Sequence, residues 1–579
     1  MLILCEKPSV ARDFAGALGA AGKKGFYENL KDKITITYCI GHLFELCSPD
    51  DYDSKYKTWS LENLPVIPQT FRYRMNASTA EQAKVVLSLL KQHSNDEVLI
   101  ATDAGREGEL IARIALLQAG IRDTSRFRRF WVSQALTVDV IRDGIKSSVP
   151  LSQFDAIAAQ GFARQKADWL VGMNLSRYMS IGNPPPAFSV GRVQTAVLSC
   201  IACRNAEVKN FTAVSYKELK AAISSGDVSI SALLENPESG KTSFFKNDEG
   251  YLLAAAENCK GKTIDSVEVQ AKEKRKKPEK LLNITGLQKA AFKQFGYKPE
   301  ETLALAQTLY ETHKCLSYPR TPSRVMGDDN VDLFRQKFDL LRESSELSRF
   351  CDTALISAGN KHIFNSAQLE DHHALIPLAA IPQQATEKER NVYNIVLKSF
   401  FGVCMPDFIY NEKSLRFCIG DYIFTTKIKE IIQSGWHEVL ANSDSDYEDE
   451  GQEVPPFDEQ NCSVAGFQIL EKKTSAKKEF AIDTLLAFME HPRGEGESKL
   501  AGLGTPATRA EIIKTLFARG YLIEEKKKLY AGERGRFLLQ QLSKHEELKK
   551  MADVAQTTEW EEKLTSDPKA FGQEPSACF

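Results

Sequence analysis

The first candidate site consists of charged side chains that come directly after two apolar stretches of the N-terminal region. Each stretch, Met1–Cys5 and Glu97–Ala101, predicts a buried strand. The charged residues that follow them are Glu6, Lys7, Asp103, Arg106 and Glu107. Because the carboxyl ends of neighbouring parallel strands meet at one edge of a sheet, Glu6, Asp103 and Glu107 are predicted to converge there. Oxygen ligands of this kind suit Mg²⁺, and the two cations suit a phosphate.

A simpler explanation exists for each acidic residue taken singly. Carboxylates in the first turn of a helix stabilise its dipole without binding any ligand. For Asp103 or Glu107 alone that explanation is the more economical one. The combination with Glu6 and Lys7 favours a metal and phosphate site.

The second candidate is a tyrosine in a segment rich in proline and arginine, Cys315–Arg324. Pro319 disfavours a helical conformation for Tyr318, so an extended one is predicted. A phenol has a pKa of about 10 and is a poor nucleophile near neutral pH unless cations stabilise its anion. Arg320 and Arg324 are spaced to bind phosphate, which makes attack of Tyr318 on a phosphodiester chemically sensible. The chain has 17 tyrosines, so spacing alone leaves a structural role open.

Adjacent histidines form a third polar group. Asp371, His372 and His373 precede an apolar run, and two of the nine histidines of the chain lie here. One of the two could contact a backbone phosphate or assist proton transfer, and a hydrogen-bonded core histidine is the alternative.

Two cofactor sites are not expected. Gly-Lys-Thr triplets at 240–242 and 261–263 resemble the end of a P-loop, but Glu235 and Ala256 replace its first glycine, so no ATP site is predicted. The twelve cysteines contain a single C-x-x-C pair, at 200 and 203, without a second pair at zinc-ribbon spacing. We therefore predict no zinc and expect this pair to pack in a core.

Composition bounds the class of protein. The 579 residues include 75 Lys and Arg against 77 Asp and Glu, a net charge of −2. This balance excludes a protein that coats nucleic acid by bulk charge, but it allows a local basic groove. No apolar run reaches the roughly 18–20 residues that span a bilayer, and the N-terminus turns polar after five residues. We expect a cytoplasmic protein with no membrane contact.

The elements that must position these residues change type along the chain. The predicted order is α/β for 1–150, helical for 151–210, β for 211–270, helical for 281–400, β for 405–440 and helical for about the last 100 residues. Lys272–Lys280 is predicted to be a basic linker and Ser443–Glu459 a disordered acidic loop. One economical explanation is nesting, with a helical segment inserted in a β domain that is itself inserted in a helical one.

With these residues assembled, the chain resembles the type IA DNA topoisomerases, most of all the topoisomerase III branch. Eight motifs occur in the family order. They are Glu6–Ser9, Gly41–Leu46, Ala101–Glu109, Gly161–Arg164 with Asp168–Arg177, Ser189–Thr195, Leu303–Glu311 with Ser317–Thr321, Asp371–Pro377, and Gly504–Arg509. The match at Ser189–Thr195 is very specific.

The resemblance implies a multidomain α/β + α + β fold, with an N-terminal Toprim α/β domain in a four-domain toroidal architecture. The implied domains are Toprim at 1–150, a helical DNA-gate domain at 151–215 plus 475–579, a β-containing arch at 216–280 plus 401–474, and a helical domain with the tyrosine at 281–400. Tyr318 is then expected at the interface with the Toprim domain.

The resemblance also implies the reaction. Tyr318 attacks a phosphodiester of single-stranded DNA and becomes linked to the 5′-phosphate, other DNA passes through the break, and the free 3′-OH reseals it. Arg320 and Lys7 are expected at the phosphate, and Glu6 near the leaving 3′-oxygen. Glu6, Asp103 and Glu107 are the implied ligands of Mg²⁺, for which Mn²⁺ could substitute, and no ATP is required. The implied DNA contacts are Arg164, Arg177, Ser189, Arg192, Gln194, His372 and Arg509.

Three departures from the family pattern stand out. Gly105 replaces the middle acid of the acidic motif, which should weaken Mg²⁺ binding unless Glu109 compensates. Pro322 replaces the usual aspartate after Tyr-Pro-Arg-Thr and removes a polar support. No zinc-ribbon tail follows the last motif, so DNA affinity is expected to come mainly from the torus. Plasmid and mobile-element members share the Asp-Ala-Gly-Arg-Glu form, which suggests a link to conjugative DNA.

The expected enzyme is a monomeric type IA topoisomerase that relaxes negative supercoils or decatenates DNA, with a helicase or the conjugation and replication machinery as the suggested partners. Two alternatives remain. A catalytically weakened DNA clamp of the same fold is motivated by Gly105 and Pro322. A Toprim nuclease or primase-like protein would use the acidic residues without Tyr318.

Overall fold

The computed structural model of the protein describes residues 1–132, 136–183, 185–369, 372–440, 452–492, 502–506 and 508–567. Four features of the sequence analysis lie outside the described residues. They are Asp371, Ala507, the 443–451 part of the acidic stretch, and the segment beyond Gln573.

The N-terminal part forms a seven-stranded sheet of order β2-β3-β4-β1-β7-β8-β9. Its strands are β1 (Leu2–Cys5), β2 (Ala21–Lys23), β3 (Phe26–Asn29), β4 (Ile34–Tyr38), β7 (Val98–Ala101), β8 (Phe127–Arg129) and β9 (Val149–Pro150), and β5 (Phe44–Leu46) pairs with β6 (Tyr73–Met75) apart from it. The helices are α1 (Pro8–Leu18), α2 (Pro49–Tyr52), α3 (Ala80–Gln92), α4 (Arg106–Gln118) and α5 (Val138–Lys146).

The two predicted strands are confirmed to within one residue, and they are neighbours. β1 pairs with β7 in parallel, with Leu2 opposite Val98 and Cys5 opposite Ala101. Successive residues of β1 enter two different cores, one on each face of the sheet, which explains why the strand is apolar throughout. The carboxyl ends of β1 and β7 therefore lie side by side.

A helical part follows and includes the C-terminal residues. Its helices are α6 (Asp155–Ser180), α7 (Arg192–Asn210), α14 (Ile482–Glu490), α15 (Arg509–Ala518), α16 (Glu533–Leu542), α17 (Glu546–Lys549) and α18 (Val554–Ser566), with the hairpin β17 (Leu522–Glu525) and β18 (Lys528–Ala531). One hydrophobic core contains residues of both α6–α7 and the C-terminal elements. Cys203 is exposed on α7 and Cys200 is only partly buried, so the expectation that both pack in a core is wrong for Cys203.

A second sheet joins strands from both sides of the tyrosine segment. Its order is β12-β13-β14-β11-β10-β16, with β15 beside β14. The elements are β10 (Ser215–Ser225), β11 (Val228–Leu234), α8 (Glu249–Asn258), β12 (Ser266–Lys276), β13 (Phe408–Ile419), β14 (Tyr422–Gln433), α13 (His437–Leu440), β15 (Gln452–Glu453) and β16 (Ser463–Lys473). The prediction that Lys272–Lys280 is a linker is wrong for its first five residues. They form the second half of β12 and pair with β13.

The helical segment that carries Tyr318 lies between β12 and β13 in the sequence. Its main helices are α9 (Ile284–Phe295), α10 (Pro299–Glu311), α11 (Val331–Leu341) and α12 (Glu387–Gly402), which share one core. Tyr318 follows α10 and lies outside any helix, which agrees with the effect expected of Pro319. Among the described residues, no helix combines the length and apolar character that a membrane crossing requires.

Candidate active site

Tyr318 meets the acidic edge of the first sheet. Its hydroxyl donates a hydrogen bond to Asp103 Oδ2 at 2.8 Å, although the two residues are 215 positions apart. Lys7 Nζ donates to the same oxygen at 3.1 Å and lies 5.7 Å from the centre of the Tyr318 ring. Arg320 is exposed, and its positive charge acts on both Tyr318 and Glu6. One carboxylate thus holds both the candidate nucleophile and a cation suited to a phosphate.

The ends of β1 and β7 bring Glu6 and Asp103 together, as predicted. The backbone N–H of Asp103 donates to Glu6 Oε2 at 3.1 Å, so the residue after β1 contacts the loop after β7. Gly108 allows α4 to begin against this loop, since a Cβ there would lie 2.2 Å from the carbonyl oxygen of Asp103. Close packing against the Asp103 carbonyl therefore favours glycine at position 108 of the acidic motif.

The electrostatics divide the two carboxylates into different protonation states. Burial and the charge of Asp103 raise the pKa of Glu6 to about 7. Burial opposes ionisation of Asp103 too, but Lys7 and the hydrogen bond from Tyr318 outweigh it and lower its pKa. Burial and the two carboxylates raise the pKa of Tyr318 well above its usual value, while Arg320 acts in the opposite direction. The site therefore combines an ionised Asp103, a partly protonated Glu6 and the neutral phenol of Tyr318.

The segments around Tyr318 and His372 form one extended pair. Leu316 and Pro377 bridge as antiparallel strands do, and Thr321 Oγ1 donates to the carbonyl of His372 at 3.0 Å. The His372 ring lies 4.3 Å from that of Tyr318, centre to centre. The histidine motif therefore lies against the tyrosine.

The loop at Pro322 keeps a polar contact through its backbone. Its carbonyl accepts a hydrogen bond from Asn283 Nδ2 at 3.0 Å, and the same amide donates to Glu490 at 2.8 Å. A backbone acceptor takes part in a polar network here although the side chain of Pro322 cannot.

Glu107 has a different partner from the other two acidic residues. Its side chain is 71% exposed and pairs with His42 Nε2, which lowers the pKa of Glu107. Within the described residues, no group of three or more His, Cys, Asp or Glu side chains has the geometry of a metal site. The predicted convergence of three carboxylates is thus limited to Glu6 and Asp103.

The possibility that Glu109 compensates for Gly105 is not supported by its contacts. Its side chain is fully buried and forms ion pairs with Arg129 at 2.9 Å and Arg113 at 2.8 Å. Glu6 and Asp103 still fit Mg²⁺, because this ion commonly takes one or two carboxylates and completes its shell with water and substrate phosphate. The donor set of the site is sufficient without a third acid.

Two family profiles cover most of the chain. A Toprim domain profile matches residues 1–134, and a DNA topoisomerase profile matches residues 152–566. DNA topoisomerase 3 of Bacillus licheniformis is 34% identical over 602 residues, which cover 100% of this chain and 79% of the relative. DNA topoisomerase 3 of Bacillus subtilis is 33% identical over the same shares of both chains.

The chain belongs to the type IA DNA topoisomerases. These two relatives are both named DNA topoisomerase 3, which places the chain in the topoisomerase III branch, and its activity is that of a DNA topoisomerase. Full-length topoisomerase I from Thermotoga maritima has the same fold, with a TM-score of 0.72 at 21% identity over 100% of this chain and 89% of that chain. Toprim domains generally bind Mg²⁺.

Several arginines of the topoisomerase motifs are ion-paired. Arg192, at the start of α7, is buried and contacts Asp168 at 3.1 Å and Glu561 of α18 at 2.7 Å. Arg164 lies 3.4 Å from Glu561 and 3.7 Å from Asp168. Gln194 accepts a hydrogen bond from Arg519 at 2.7 Å and lies 3.5 Å from Ser189. Arg164, Arg192, Asp168 and Glu561 thus form one charged cluster on α6, α7 and α18.

Three other arginines are directed to protein groups, which the sequence did not indicate. Arg177 is buried and donates to the carbonyl of Tyr56 at 2.7 Å. Arg509 is buried and donates to Thr285 at 2.9 Å. Arg324 donates to the carbonyl of Leu281 and to Glu279, away from Tyr318. The prediction that Arg324 helps Arg320 to bind phosphate stays a prediction, since these contacts do not test it.

Two residues of the site were missed from the sequence. Arg129 ends β8 and contacts the loop that carries Asp103, and Glu561 neutralises the arginine cluster. Arg129 directly follows Arg128 in the sequence, and no signal there separates the buried arginine from its neighbour. Glu561 lies in a charged helix and stands out from its neighbours only through its contacts.

Proposed function

We propose that Tyr318 is the nucleophile with which this topoisomerase cleaves one DNA strand. The observation that carries the proposal is the hydrogen bond of 2.8 Å from the Tyr318 hydroxyl to Asp103. Lys7 and Arg320 supply positive charge where the phosphodiester would bind. The tyrosine oxygen attacks phosphorus, the bond to the 3′-oxygen breaks, and the product is a 5′-phosphotyrosine with a free 3′-OH.

In this scheme Asp103 is the proposed proton acceptor and Glu6 the proposed proton donor. Asp103 Oδ2 is the acceptor next to the phenol, which must lose its proton during the attack. Glu6, with a pKa of about 7, is partly protonated near neutral pH and can donate to the leaving 3′-oxygen. Religation runs the same transfers in reverse. One phosphodiester replaces another, so we propose that no ATP is consumed.

Asp103 is the first proposed protein ligand of Mg²⁺, and Glu6 would bind the ion only in its deprotonated form, with Glu107 available at the start of α4 and Mn²⁺ as a substitute. When bound, the ion would neutralise charge on the DNA phosphate. Lys7 would remain at the scissile phosphate. No zinc is part of the proposal.

The proposed DNA contacts outside the reaction centre are His372 beside Tyr318, the charged cluster with Arg164 and Arg192, and the neighbouring polar residues Ser189 and Gln194. Arg192 and Arg164 would exchange Glu561 and Asp168 for phosphate oxygens when DNA binds. Arg177 and Arg509 are buried against protein groups. We therefore propose that they affect DNA binding indirectly, by supporting the surface that contacts the DNA.

We further propose the four divisions given above as domains, and a monomer that acts on single-stranded DNA in the bacterial cytosol. Relaxation of negative supercoils and decatenation both require strand passage through the cleaved gate. A helicase or conjugation machinery remains the proposed partner class.

A labelled oligonucleotide and a supercoiled plasmid test the proposal together. With Mg²⁺, the wild type is expected to relax the plasmid and to retain the 3′-labelled end of a cleaved single strand, because the 5′-phosphate joins Tyr318. Tyr318→Phe should abolish both signals. Tyr310→Phe is the matched control, since its ring lies 5.5 Å from Tyr318 and only its hydroxyl is lost.

The outcomes separate the alternatives. An unchanged topoisomer ladder without any covalent adduct for the wild type would support the DNA clamp. Activity that survives in Tyr318→Phe would support a Toprim nuclease that uses the acidic residues alone. Label retained on the 5′ side of the break would contradict the proposed polarity.

A further inference from the structure

We propose that Arg129, paired with Glu109, is a positioning residue that holds the backbone of Asp103 in place for the attack by Tyr318. The inference rests on the proposed function of Tyr318 and Asp103. It assigns a task in cleavage to a buried ion pair that touches neither the DNA nor the nucleophile.

The guanidinium of Arg129 binds the backbone at the point where β7 ends. Its Nη1 donates to the carbonyls of Thr102 at 2.7 Å and Phe130 at 2.8 Å, and Nη2 donates to the carbonyl of Asp103 at 2.8 Å. These carbonyls lie beyond the paired residues of β7 and β8. The planar fork of an arginine suits several acceptors at fixed angles, which an ammonium group cannot satisfy in the same way.

The charge of Arg129 is compensated inside the protein. Its side chain has no exposed surface, and its Nε donates to Glu109 Oε2 at 2.9 Å. The guanidinium also lies 4.8 Å from the ring centre of Trp131. A fully buried ion pair is costly to desolvate and is weak evidence for a purely stabilising role. Its contacts with the Asp103 loop suggest a functional reason for its presence.

The loop needs this restraint because residues 102–105 belong to neither a strand nor a helix. The carbonyl of Asp103 is held from two directions. Arg129 donates to it, and Gly108 packs so closely that a Cβ would lie 2.2 Å from the oxygen. The side chain of the same residue accepts from Tyr318 at 2.8 Å and from Lys7 at 3.1 Å. A shift of the backbone would therefore displace the acceptor from the nucleophile.

Arg113 provides a matched control. It also forms an ion pair with Glu109, at 2.8 Å, but its other contacts are the carbonyl of Leu151 and Asp155. Arg129→Lys and Arg113→Lys each remove one guanidinium from Glu109 and keep the charge. Arg129 alone of the two donates to the Asp103 carbonyl in the described contacts.

The experiment measures single-turnover cleavage of a 3′-labelled single strand, the Kd for the same strand by fluorescence anisotropy, and the unfolding temperature. Arg129→Lys should cleave about 10–100-fold more slowly, in line with the cost of a displaced catalytic group, with Kd within about twofold of the wild type. Arg113→Lys should cleave like the wild type. If Arg129→Lys does not fold, Glu109→Gln keeps the size of the partner side chain, weakens its hold on Arg129 Nε and should give the same separation of cleavage from binding.

Three results would overturn the inference. Cleavage by Arg129→Lys at the wild-type rate would show that the loop holds Asp103 unaided. Equal losses in Arg129→Lys and Arg113→Lys that follow the unfolding temperature would reduce the pair to a stabilising role. A loss confined to Kd would indicate a DNA contact. A wild type that forms no adduct would instead refute the proposed function, so the two failures are distinguishable.

Discussion

Gly105 occupies the position where the family motif carries its middle acid, yet its backbone does not require glycine. Its φ of 168° is extended and open to any residue. We therefore expect Gly105→Asp to add a carboxylate beside Glu6 and Asp103 and to lower, several-fold, the Mg²⁺ concentration that supports half-maximal plasmid relaxation. Gly105→Asn, equal in size without the charge, should leave the Mg²⁺ titration unchanged. An unaltered titration in Gly105→Asp would show that position 105 is not at the metal site.

At the scale of single residues, the sequence could predict which side chains follow the two strands but not where those on α4 point. Glu6 and Asp103 lie at the ends of neighbouring strands, so the sheet alone brings them together. Glu107 and Glu109 lie on a helix, where two residues change the direction of a side chain by about 200°. One is exposed against His42 and the other is fully buried. Their directions depend on how α4 packs, which the motif does not encode.

At the scale of elements, the extended segment beside Tyr318 contains a buried histidine that should make stability depend on pH. Burial lowers the pKa of His373, whose Nδ1 lies 2.7 Å from the carbonyl of Ala374. Its stabilising contribution is complete above the usual histidine value of about 6.5. As the pH falls below that value the unfolded chain binds a proton that the folded one excludes, so stability falls until the pH passes the lowered pKa.

We expect the unfolding temperature of the wild type to fall more steeply between pH 7.5 and 5.5 than that of His373→Asn. Asparagine can keep a donor near the carbonyl of Ala374 but does not titrate. Thermal unfolding at several pH values measures the difference in slope. His93→Asn is the control, because this histidine pairs with Asp96 at the protein surface. Parallel slopes for the wild type and His373→Asn would contradict the argument.

The predicted elements failed where side-chain patterns do not reflect burial. β1 and β7 have apolar residues on both faces and were found to within one residue. β12 is an edge strand whose side chains are mostly exposed, so its lysines resemble those of a linker. Its pairing with β13, more than 130 residues later, is decided by the sheet and not by its own composition.

At the scale of the whole molecule, the net charge of −2 conceals a pairing of opposite charges within the sites. Arg192 and Arg164 lie against Glu561 and Asp168, and Lys7 lies against Asp103. The sequence predicted the basic residues of the motifs. It could not predict their acidic partners, because Glu561 reaches the cluster from a helix that is 369 positions away from Arg192.

The contact between the tyrosine segment and the first sheet includes an ion pair outside the reaction centre. Lys314 Nζ lies 2.8 Å from Asp13 Oδ2 on α1, and the two side chains are 50% and 24% exposed. In the proposed mechanism, strand passage requires Tyr318 to part from Asp103, so we expect this pair to stabilise the closed gate. An exposed pair of this kind contributes at most about 1 kcal/mol, which corresponds to roughly fivefold in the equilibrium between closed and parted states.

We therefore expect Asp13→Lys, which sets two lysines against each other, to raise the steady-state fraction of covalent adduct by up to about fivefold, because the parted 3′-OH reseals less often. Adding Lys314→Asp reverses the pair and should restore the wild-type level, and high salt should reduce the difference. Asp143→Lys controls for a change of surface charge, since its pair with Lys146 lies within α5. Quantifying the adduct on a 3′-labelled single strand tests this. If the double variant retains the adduct level of Asp13→Lys, the pair does not hold the gate, and closure depends on Tyr318, Lys7 and Asp103 alone.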